Sequence, residues 1–435
     1  MGFILQMQST SGGFAPPSPT PARFPSNRIL PHMPAFTTND AKPSNAASES
    51  PASDPLSDTD RYSRQILFAP IGEAGQQLLR RAHVAIVGVG ATGAATASLL
   101  ARAGVGRLTL IDRDFVEPSN LQRQMLFDED DARASLPKAE AARLHLARIN
   151  STVHIDAHIT DLVPANAPTL LDADLVLDCT DNFETRYLIN DLCVRDHRPW
   201  IYAAAVGAYA ATMNILPRPI PSEAERHPSE VAHRHSERSE EPPYLRTERR
   251  DVPTIPNPLS PATACLACIF PSAPSGNVDT CDTAGILSTA VNLAASLQVT
   301  EALKFLTHQP ETMRRTLLSF DLWANTRSEI NTSTPRPDCE VCGQRIFRHL
   351  AGDQRPHITL CGRNSVQIHQ HHHPLNLAEL ESRLQPLGQV RANGLLLRFT
   401  YPPYTLTVFP DGRALIQGTT DPALARSLYA RFLGS

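Results

Sequence analysis

The sequence predicts an α/β fold in which a doubly wound, mostly parallel sheet carries helices on both faces. A β-branched run at residues 83–87 leads into the Gly-rich turn GVGATG at residues 88–93. An apolar helix and a second strand ending at Asp112 follow, which completes a βαβ unit. Further apolar runs predict strands at residues 153–157, 175–178 and 200–204. Strands that alternate with helices form parallel sheets, and ligands bind at the carboxyl ends of their strands.

Length, composition and charge bound the class of protein. The chain has 435 residues with 41% hydrophobic content, enough for two or three domains and a sizeable core. Its 40 Lys and Arg against 44 Asp and Glu give a net charge of -4, which favours neither a nucleic-acid binder nor a membrane-surface protein. No apolar run approaches the roughly 18 residues that span a bilayer, and no signal peptide is recognisable. We therefore expect a cytoplasmic protein.

Composition also divides the chain. Residues 1–57 are rich in Pro, Ser, Thr and Ala and predict a disordered extension. The main domain is expected at residues 58–344, with a disordered insertion at about residues 218–252 that is dense in Arg, Glu, Ser and Pro. Residues 356–435 predict a small α+β C-terminal domain with a hairpin turning at Asp411-Gly412 and a helix capped by Asp421. Such a module docks a protein partner or only stabilises the enzyme.

The cysteines predict a metal site. Two CxxC pairs lie about 70 residues apart, and two such pairs favour a closed, structural zinc site with four thiolate ligands over redox-active pairs. The four expected ligands are Cys265, Cys268, Cys339 and Cys342. Cys179, Cys193 and Cys361 are expected to fill the core.

The Gly-rich turn alone leaves the class of nucleotide open. With Asp112 about 20 residues beyond it to bind ribose hydroxyls, the turn fits a dehydrogenase as well as other nucleotide-binding enzymes. Dehydrogenases have no need, however, for the surrounding motifs. These are RYSRQI at residues 61–66, SNLQRQ at 119–124, PKAEAA at 137–142 and LDCTDNFETR at 177–186, together with the two CxxC pairs.

Together these motifs resemble the ThiF/MoeB/HesA family of bacterial adenylyltransferases, which are related to ubiquitin-activating enzymes. The resemblance covers roughly residues 61–344 apart from the insertion. It implies a Rossmann-like domain with a structural Zn2+ that uses ATP and Mg2+ to adenylate the C-terminal glycine of a ubiquitin-like sulfur carrier, MoaD-like or ThiS-like, with release of pyrophosphate. The implied partners are a carrier ending in Gly-Gly and a second copy of the chain. The C-terminal domain has no Cys followed by an anion-binding loop, so we expect a separate protein to donate the sulfur. Because the motifs are shared, molybdopterin, thiamine and related pathways stay open.

The resemblance also implies roles for single residues. Asn120, Arg123 and Lys138 would contact the phosphates, Asp181 would bind Mg2+, and Arg64 would act on the ATP of the partner subunit in a homodimer. The nucleotide-binding positions implied are Gly88, Gly90, Ala91, Gly93, Asp112, Ser119, Asn120, Gln122, Arg123, Lys138, Asp181 and Asn182.

Several of these roles have alternatives. Asn120, Arg123 and Lys138 could instead form surface salt bridges, and Arg64 could instead be a packing residue of an N-terminal helix. Cys281 matches a cysteine that some family members use covalently on the carrier, and its other interpretation is a small buried residue. Ala91 stands where the family usually has glycine, so we expect a modest change in ATP affinity.

Two other functions compete with adenylation. An NAD-dependent oxidoreductase would bind NAD and catalyse no pyrophosphate exchange. A non-catalytic scaffold like the inactive half of heterodimeric ubiquitin-activating enzymes would be expected to have lost the phosphate-binding or Mg2+-binding residues. Arg123, Lys138 and Asp181 are all present, which argues against the scaffold.

Overall fold

The computed structural model describes residues 58–217, 262–272, 284–352, 359–360, 365–368 and 375–433. The predicted N-terminal extension, the predicted insertion, Cys281 and Cys361 lie outside the described residues.

The strands of the described residues form two sheets. The first sheet contains β1 (His83–Val87), β2 (Arg107–Ile111), β3 (His154–His158), β4 (Leu175–Asp178), β5 (Trp200–Val206), β6 (Tyr209–Ile215), β7 (Thr316–Asp321) and β8 (Thr326–Asn331). The second contains β9 (Thr359–Leu360), β10 (Ser365–Ile368), β11 (Gln389–Ala392), β12 (Leu397–Tyr401), β13 (Tyr404–Val408) and β14 (Ala414–Gln417).

The helices of the described residues connect and cover these strands. They are α1 (Asp58–Ile66), α2 (Gly72–Arg81), α3 (Ala91–Ala103), α4 (Glu129–Ala134), α5 (Lys138–Ile149), α6 (Ala167–Leu170), α7 (Phe183–Arg195), α8 (Leu266–Ile269), α9 (Ser288–Leu306), α10 (Arg348–Ala351), α11 (Leu377–Leu384) and α12 (Pro422–Leu433). Short 3-10 turns lie at Pro118–Asn120, Pro310–Thr312 and Gln385–Leu387.

The first sheet confirms the predicted mostly parallel α/β architecture. Its strand order is β3-β2-β1-β4-β5-β6-β7-β8, with parallel pairing from β3 to β5 and antiparallel pairing from β5 to β8. One buried cluster on a face of the sheet includes residues of α3, α5 and α9, and a second cluster includes residues of α7. From β1 the chain adds β2 and β3 on one side, and it then crosses back to add β4 and β5 on the other side. The direction in which strands are added therefore reverses between β1 and β4. A crevice is expected at that point.

The second sheet is antiparallel, with the order β11-β12-β13-β14-β10-β9. Helices α11 and α12 contribute to its own apolar core, in which the rings of Phe399 and Phe432 meet edge to face at 5.0 Å. The predicted cap is present, since the Ala423 amide donates to Asp421 Oδ1 at 2.8 Å. The predicted hairpin is formed by β13 and β14 around the turn that contains Gly412. Strands β11 and β12 were not predicted.

Candidate active site

Each glycine of the turn after β1 is present for a different physical reason. Gly88 has φ +85°, a conformation that favours glycine, and a Cβ on Gly93 would lie 1.8 Å from the Gly88 carbonyl oxygen. A Cβ on Gly90 would meet nothing nearer than Gln124 Nε2, at 3.9 Å. The fold therefore requires Gly88 and Gly93, whereas Gly90 keeps open space in front of α3. Ala91 is the first residue of that helix, whose N-terminus suits an anion.

Gln124 borders the same space. Its side chain is 3% exposed, and its Oε1 has no hydrogen-bond partner in the described structure. A buried acceptor left unpaired costs free energy unless a ligand or water satisfies it. Gln124 belongs to the SNLQRQ motif, but the sequence prediction did not include it among the nucleotide-binding residues.

Asp112 at the end of β2 ties the Gly-rich turn to the next loop. Its Oδ2 accepts from the Val89 amide at 2.6 Å, and its Oδ1 accepts from the Asp114 amide at 2.7 Å. Burial raises the pKa of Asp112, and the nearby Lys138 ammonium opposes that rise. The predicted ribose-binding residue is thus held in place by two backbone amides.

Lys138 lies at the start of α5 with only 3% of its surface exposed. Its Nζ is 3.1 Å from Asp114 Oδ2, and its backbone amide donates to the Asp114 carbonyl at 2.8 Å. An isolated β-bridge between Phe115 and Pro137 joins the two segments. The structure therefore brings Lys138 to the loop after β2, beside Asp112. The ammonium group of a lysine at this position can bind a phosphate group.

The loop after β4 closes the crevice from the other side. A Cβ on Gly88 would lie 2.9 Å from the Cys179 carbonyl oxygen, so this loop touches the Gly-rich turn. Fully buried Asp178 accepts from the Thr180 amide at 2.9 Å and from Arg186 Nε at 3.1 Å. Burial raises the pKa of Asp178, against the effect of Arg186. Asp178 is therefore a structural strand-end residue.

The two predicted ligand residues of that loop differ in their surroundings. Asp181 is exposed in the loop at the carboxyl end of β4, where its carboxylate is accessible to a cation. Asn182 caps α7, because its Oδ1 accepts from the Thr185 amide at 2.8 Å. The cap uses one of the two acceptor positions of the Asn182 side-chain oxygen.

The SNLQRQ segment lies next to Gly90 through Gln124. Asn120 is buried, and its Oδ1 accepts from the Glu117 amide at 3.0 Å, so it fixes the turn. Arg123 Nη1 donates to the Ser119 carbonyl at 2.7 Å. Ser119 and Gln122 are exposed. None of these contacts tests the predicted phosphate-binding roles, which stay predictions.

Arg64, in α1, lies near the C-terminal end of α3, whereas the Gly-rich turn lies at the N-terminal end of that helix. Tyr62 packs on Gly104, where an added Cβ would be 2.6 Å from the tyrosine ring, and Gln65 Nε2 donates to the Ala103 carbonyl at 2.8 Å. These contacts fix α1 at the C-terminal end of α3. The 13 residues of α3 span about 20 Å at 1.5 Å per residue. The structure therefore does not bring the exposed Arg64 to the Gly-rich turn of its own chain.

The four predicted zinc ligands meet in space. The sulfur atoms of Cys265, Cys268, Cys339 and Cys342 all lie within 4.8 Å of one another. Individual sulfur separations are 3.8 Å for Cys265–Cys268, 3.6 Å for Cys265–Cys339 and 3.3 Å for Cys268–Cys342. A tetrahedral zinc with Zn–S bonds of about 2.3 Å requires sulfur atoms about 3.8 Å apart. The cluster fits a closed zinc site with no position left for substrate.

One side chain of α9 links the site to the sheet. Gln298 Nε2 donates to the Asp178 carbonyl at 3.0 Å and to the Ile201 carbonyl at 2.9 Å. Its Oε1 accepts from Thr96 Oγ1 at 3.0 Å and from the Cys179 thiol at 3.2 Å. Burial raises the pKa of that thiol, which agrees with a core residue rather than a nucleophile. Gln298 was not among the predicted site residues, because it lies in no recognisable motif.

The family follows from comparison with known proteins. The ThiF family model matches residues 62–341. The chain belongs to the ThiF family. It is 40% identical over 381 residues to the sulfur carrier protein ThiS adenylyltransferase of Bacillus subtilis (strain 168), across 86% of this chain and 100% of that protein. This membership confirms the resemblance read from the motifs.

Further ThiF-family relatives are more distant. The SAMP-activating enzyme E1 of Haloferax volcanii is 31% identical across 66% of this chain and 89% of that protein. The adenylyltransferase and sulfurtransferase MOCS3 of Sus scrofa is 34% identical across 66% of this chain, which spans 53% of that protein. The predicted enzyme class, an adenylyltransferase, is confirmed, and the oxidoreductase and scaffold alternatives lose their support.

Among the described residues, no helix is both long enough and apolar enough to cross a membrane. The predicted cytoplasmic location stays a prediction.

Proposed function

We propose that this enzyme adenylates the C-terminal glycine carboxylate of a ubiquitin-like sulfur carrier and releases pyrophosphate. In this reaction a carboxylate oxygen attacks the α-phosphorus of ATP, the bond to the β-phosphate bridging oxygen breaks, and an acyl-adenylate forms. Such a reaction requires cationic groups for the phosphates and no covalent enzyme nucleophile.

The observation that carries this proposal is the buried Lys138 beside Asp114 at the mouth of the Gly-rich turn. Lys138 is 3% exposed and interacts with Asp112, whose carboxylate accepts from the Val89 amide of the Gly-rich turn. The unpaired Gln124 Oε1 supports a ligand in that space. ATP fits here with its phosphates toward the N-terminus of α3 and Lys138, and with its ribose toward Asp112.

Other residues would complete the nucleotide site. Exposed Asp181 would hold Mg2+, which supplies charge neutralisation of the phosphates. Arg123 would leave the Ser119 carbonyl to reach a phosphate oxygen, a short movement for a guanidinium at the protein surface.

We further propose a homodimer in which Arg64 serves the partner's ATP. The position of Arg64 about 20 Å along α3 from its own Gly-rich turn supports supply across an interface. Leu67 and Phe68, which follow α1, are 72% and 61% exposed and would be covered in such a dimer.

A ThiS-like carrier is the substrate that we favour. The relative matched over its whole length is named for ThiS, whereas the two more distant relatives carry other names. A MoaD-like carrier is the second candidate. The sulfur donor would be a separate protein, the four cysteines would hold a structural zinc, and the covalent role of Cys281 stays a prediction.

ATP–pyrophosphate exchange tests the proposal. The purified enzyme is assayed with the ThiS-like and the MoaD-like carrier of the same cell, each with a control lacking its two terminal glycines. We expect exchange with the intact ThiS-like carrier and none with either truncated control. Exchange only with the MoaD-like carrier would keep the class and change the substrate. Its absence with every ubiquitin-like carrier of the cell would refute the proposal.

A further inference from the structure

A buried carboxylate joins the C-terminal sheet to the loop after β2. Asp161 is 9% exposed and accepts from Arg113 Nη1 at 2.6 Å. From the other side it is contacted by Gln367 Nε2 of β10 and by Arg413, whose Nη1 lies 3.7 Å from Asp161 Oδ2. Asp161 is therefore shared between the nucleotide-binding half of the protein and the second sheet.

Arg113 extends this contact toward the phosphate-binding lysine. Its Nε is 3.9 Å from Asp114 Oδ1, and Asp114 Oδ2 in turn is 3.1 Å from Lys138 Nζ. Burial lowers the pKa of Arg113, but the carboxylates of Asp161 and Asp114 outweigh burial and raise that pKa above its usual value. Charges of alternating sign thus run from the second sheet through Asp161, Arg113 and Asp114 to Lys138.

Apolar packing holds the same loop. Phe115, one residue beyond Asp114, forms a buried cluster with Leu396 and Phe409 of the second sheet's loops. The Arg398 guanidinium stands 5.2 Å from the centre of the Phe115 ring. The second sheet therefore contacts both the charged and the apolar side chains of this loop.

The segment that leads into Lys138 is held as well. Asn393 Nδ2 donates to the carbonyls of Ala134 at 3.0 Å and Ser135 at 3.2 Å. Ser135 has φ 48° and ends α4 three residues before Lys138. Both segments that meet at the Lys138–Asp114 pair are thus in contact with the C-terminal sheet.

We propose that Asp161 and Arg113 are positioning residues for nucleotide binding, through which the docked C-terminal sheet fixes Asp114 and hence the Lys138 ammonium. Arg113 interacts with the carboxylates of Asp161 and Asp114 and, less strongly, with that of Asp181. When Asp161 is neutral, the buried guanidinium interacts more strongly with Asp114 and weakens the hold of Asp114 on Lys138. This inference rests on the proposed ATP site, and it gives the C-terminal sheet a role in ATP binding that does not depend on carrier docking.

The test is Asp161→Asn, compared with Glu301→Gln as a matched control. Glu301 is also a buried carboxylate, 2% exposed, but it bonds Asn214 and Lys304 and belongs to a separate network on α9. Calorimetric titration with ATP and Mg2+, pyrophosphate exchange with carrier, and thermal denaturation are measured for each. Networks of this kind couple sites by factors of about 3 to 30.

We expect Asp161→Asn to raise the dissociation constant and KM for ATP about fivefold to tenfold, with KM for the carrier changed less than about twofold. Glu301→Gln should lower the melting temperature without changing ATP affinity. Gln367→Ala removes a contact from the second sheet alone, so it tests the same link should Asp161→Asn fold poorly, and a rise in the ATP dissociation constant of about two- to fivefold is expected.

Unchanged ATP affinity in both Asp161→Asn and Gln367→Ala would overturn this inference. A loss of ATP affinity in Glu301→Gln as large as that in Asp161→Asn would overturn it as well. ATP binding by the unsubstituted enzyme distinguishes a failure of the proposed function from a failure of the positioning role. If it binds no ATP, the proposed function fails, whereas normal binding by the enzyme and by both variants sinks only the positioning role.

Discussion

Substituting Gly90 by alanine separates folding from nucleotide binding. A Cβ at this position has Gln124 Nε2, at 3.9 Å, as its nearest neighbour, which is ordinary van der Waals contact. The position precedes α3 as its N-cap, where exchanging glycine for alanine costs at most about 1 kcal/mol. The free energy of unfolding should therefore change little.

ATP binding should respond much more. In the proposed site the methyl group occupies the space in front of α3 where the phosphates would approach the backbone. An extra methyl group in a filled site costs about 1–3 kcal/mol. Taking the lower part of that range, about 1.4 kcal/mol, the dissociation constant for ATP should rise about tenfold.

Gly93→Ala is the matched control on the same turn. Its Cβ would lie 1.8 Å from the Gly88 carbonyl oxygen, so backbone must move and the loss of stability should exceed about 3 kcal/mol. Calorimetric titration with ATP and thermal denaturation are measured on both variants. Wild-type ATP affinity in Gly90→Ala would refute the proposed path of the phosphates. Wild-type stability in Gly93→Ala would refute the close approach of α3 to the turn.

Three further outcomes are expected. Asp181→Ala should abolish pyrophosphate exchange at an unchanged melting temperature, because an exposed Mg2+ ligand contributes little to folding. Purified enzyme should contain about one zinc per chain, and chelation should lower the melting temperature before it affects exchange, because a zinc held by four thiolates has no open position. Mixing Arg64→Ala chains with Lys138→Ala chains should restore about a quarter of the sites, because one site of each mixed dimer keeps both groups.

Each outcome has a result that contradicts it. Near-normal exchange by Asp181→Ala would remove that residue from the site. Protein without zinc after purification under reducing conditions would refute the assignment of the four cysteines as zinc ligands. If verified subunit exchange restores no activity, Arg64 does not act across an interface.

Local sequence patterns predicted the first half of the chain well. The run from β1 through α3 to β2 follows from an apolar strand, glycines with distinct steric roles and an acidic strand end. Five strands were not predicted: β6, β7, β8, β11 and β12. In β8 and β11 the side chains are mostly exposed or polar, so these strands lack the alternation that marks a half-buried strand. Whether these segments form strands depends on backbone pairing with a neighbouring strand, and the sequence of one segment alone does not reveal that pairing.

The sequence points to residues of the candidate site where a motif contains them, but not where a contact distant in sequence brings them there. Lys138, Asp112 and the four cysteines lie in recognisable spacings. The contact between Gln367 and Asp161 joins residues 206 positions apart, and Gln298 meets the Asp178 carbonyl across 120 positions. Tertiary packing brings these side chains together, so their roles become visible only in the folded chain.

The cysteine cluster has a consequence for the unfolded chain. A zinc held by the four cysteines would link Cys265 to Cys339 and close a loop of 74 residues that contains α9 and the β7–β8 hairpin. A cross-link over such a loop removes conformational entropy from the unfolded ensemble worth about 4 kcal/mol in the chain-entropy model. Residues 218–261 precede Cys265 and fall outside this loop. Relatives could therefore gain or lose sequence there without altering the entropic stabilisation that a zinc bound by the four cysteines would provide.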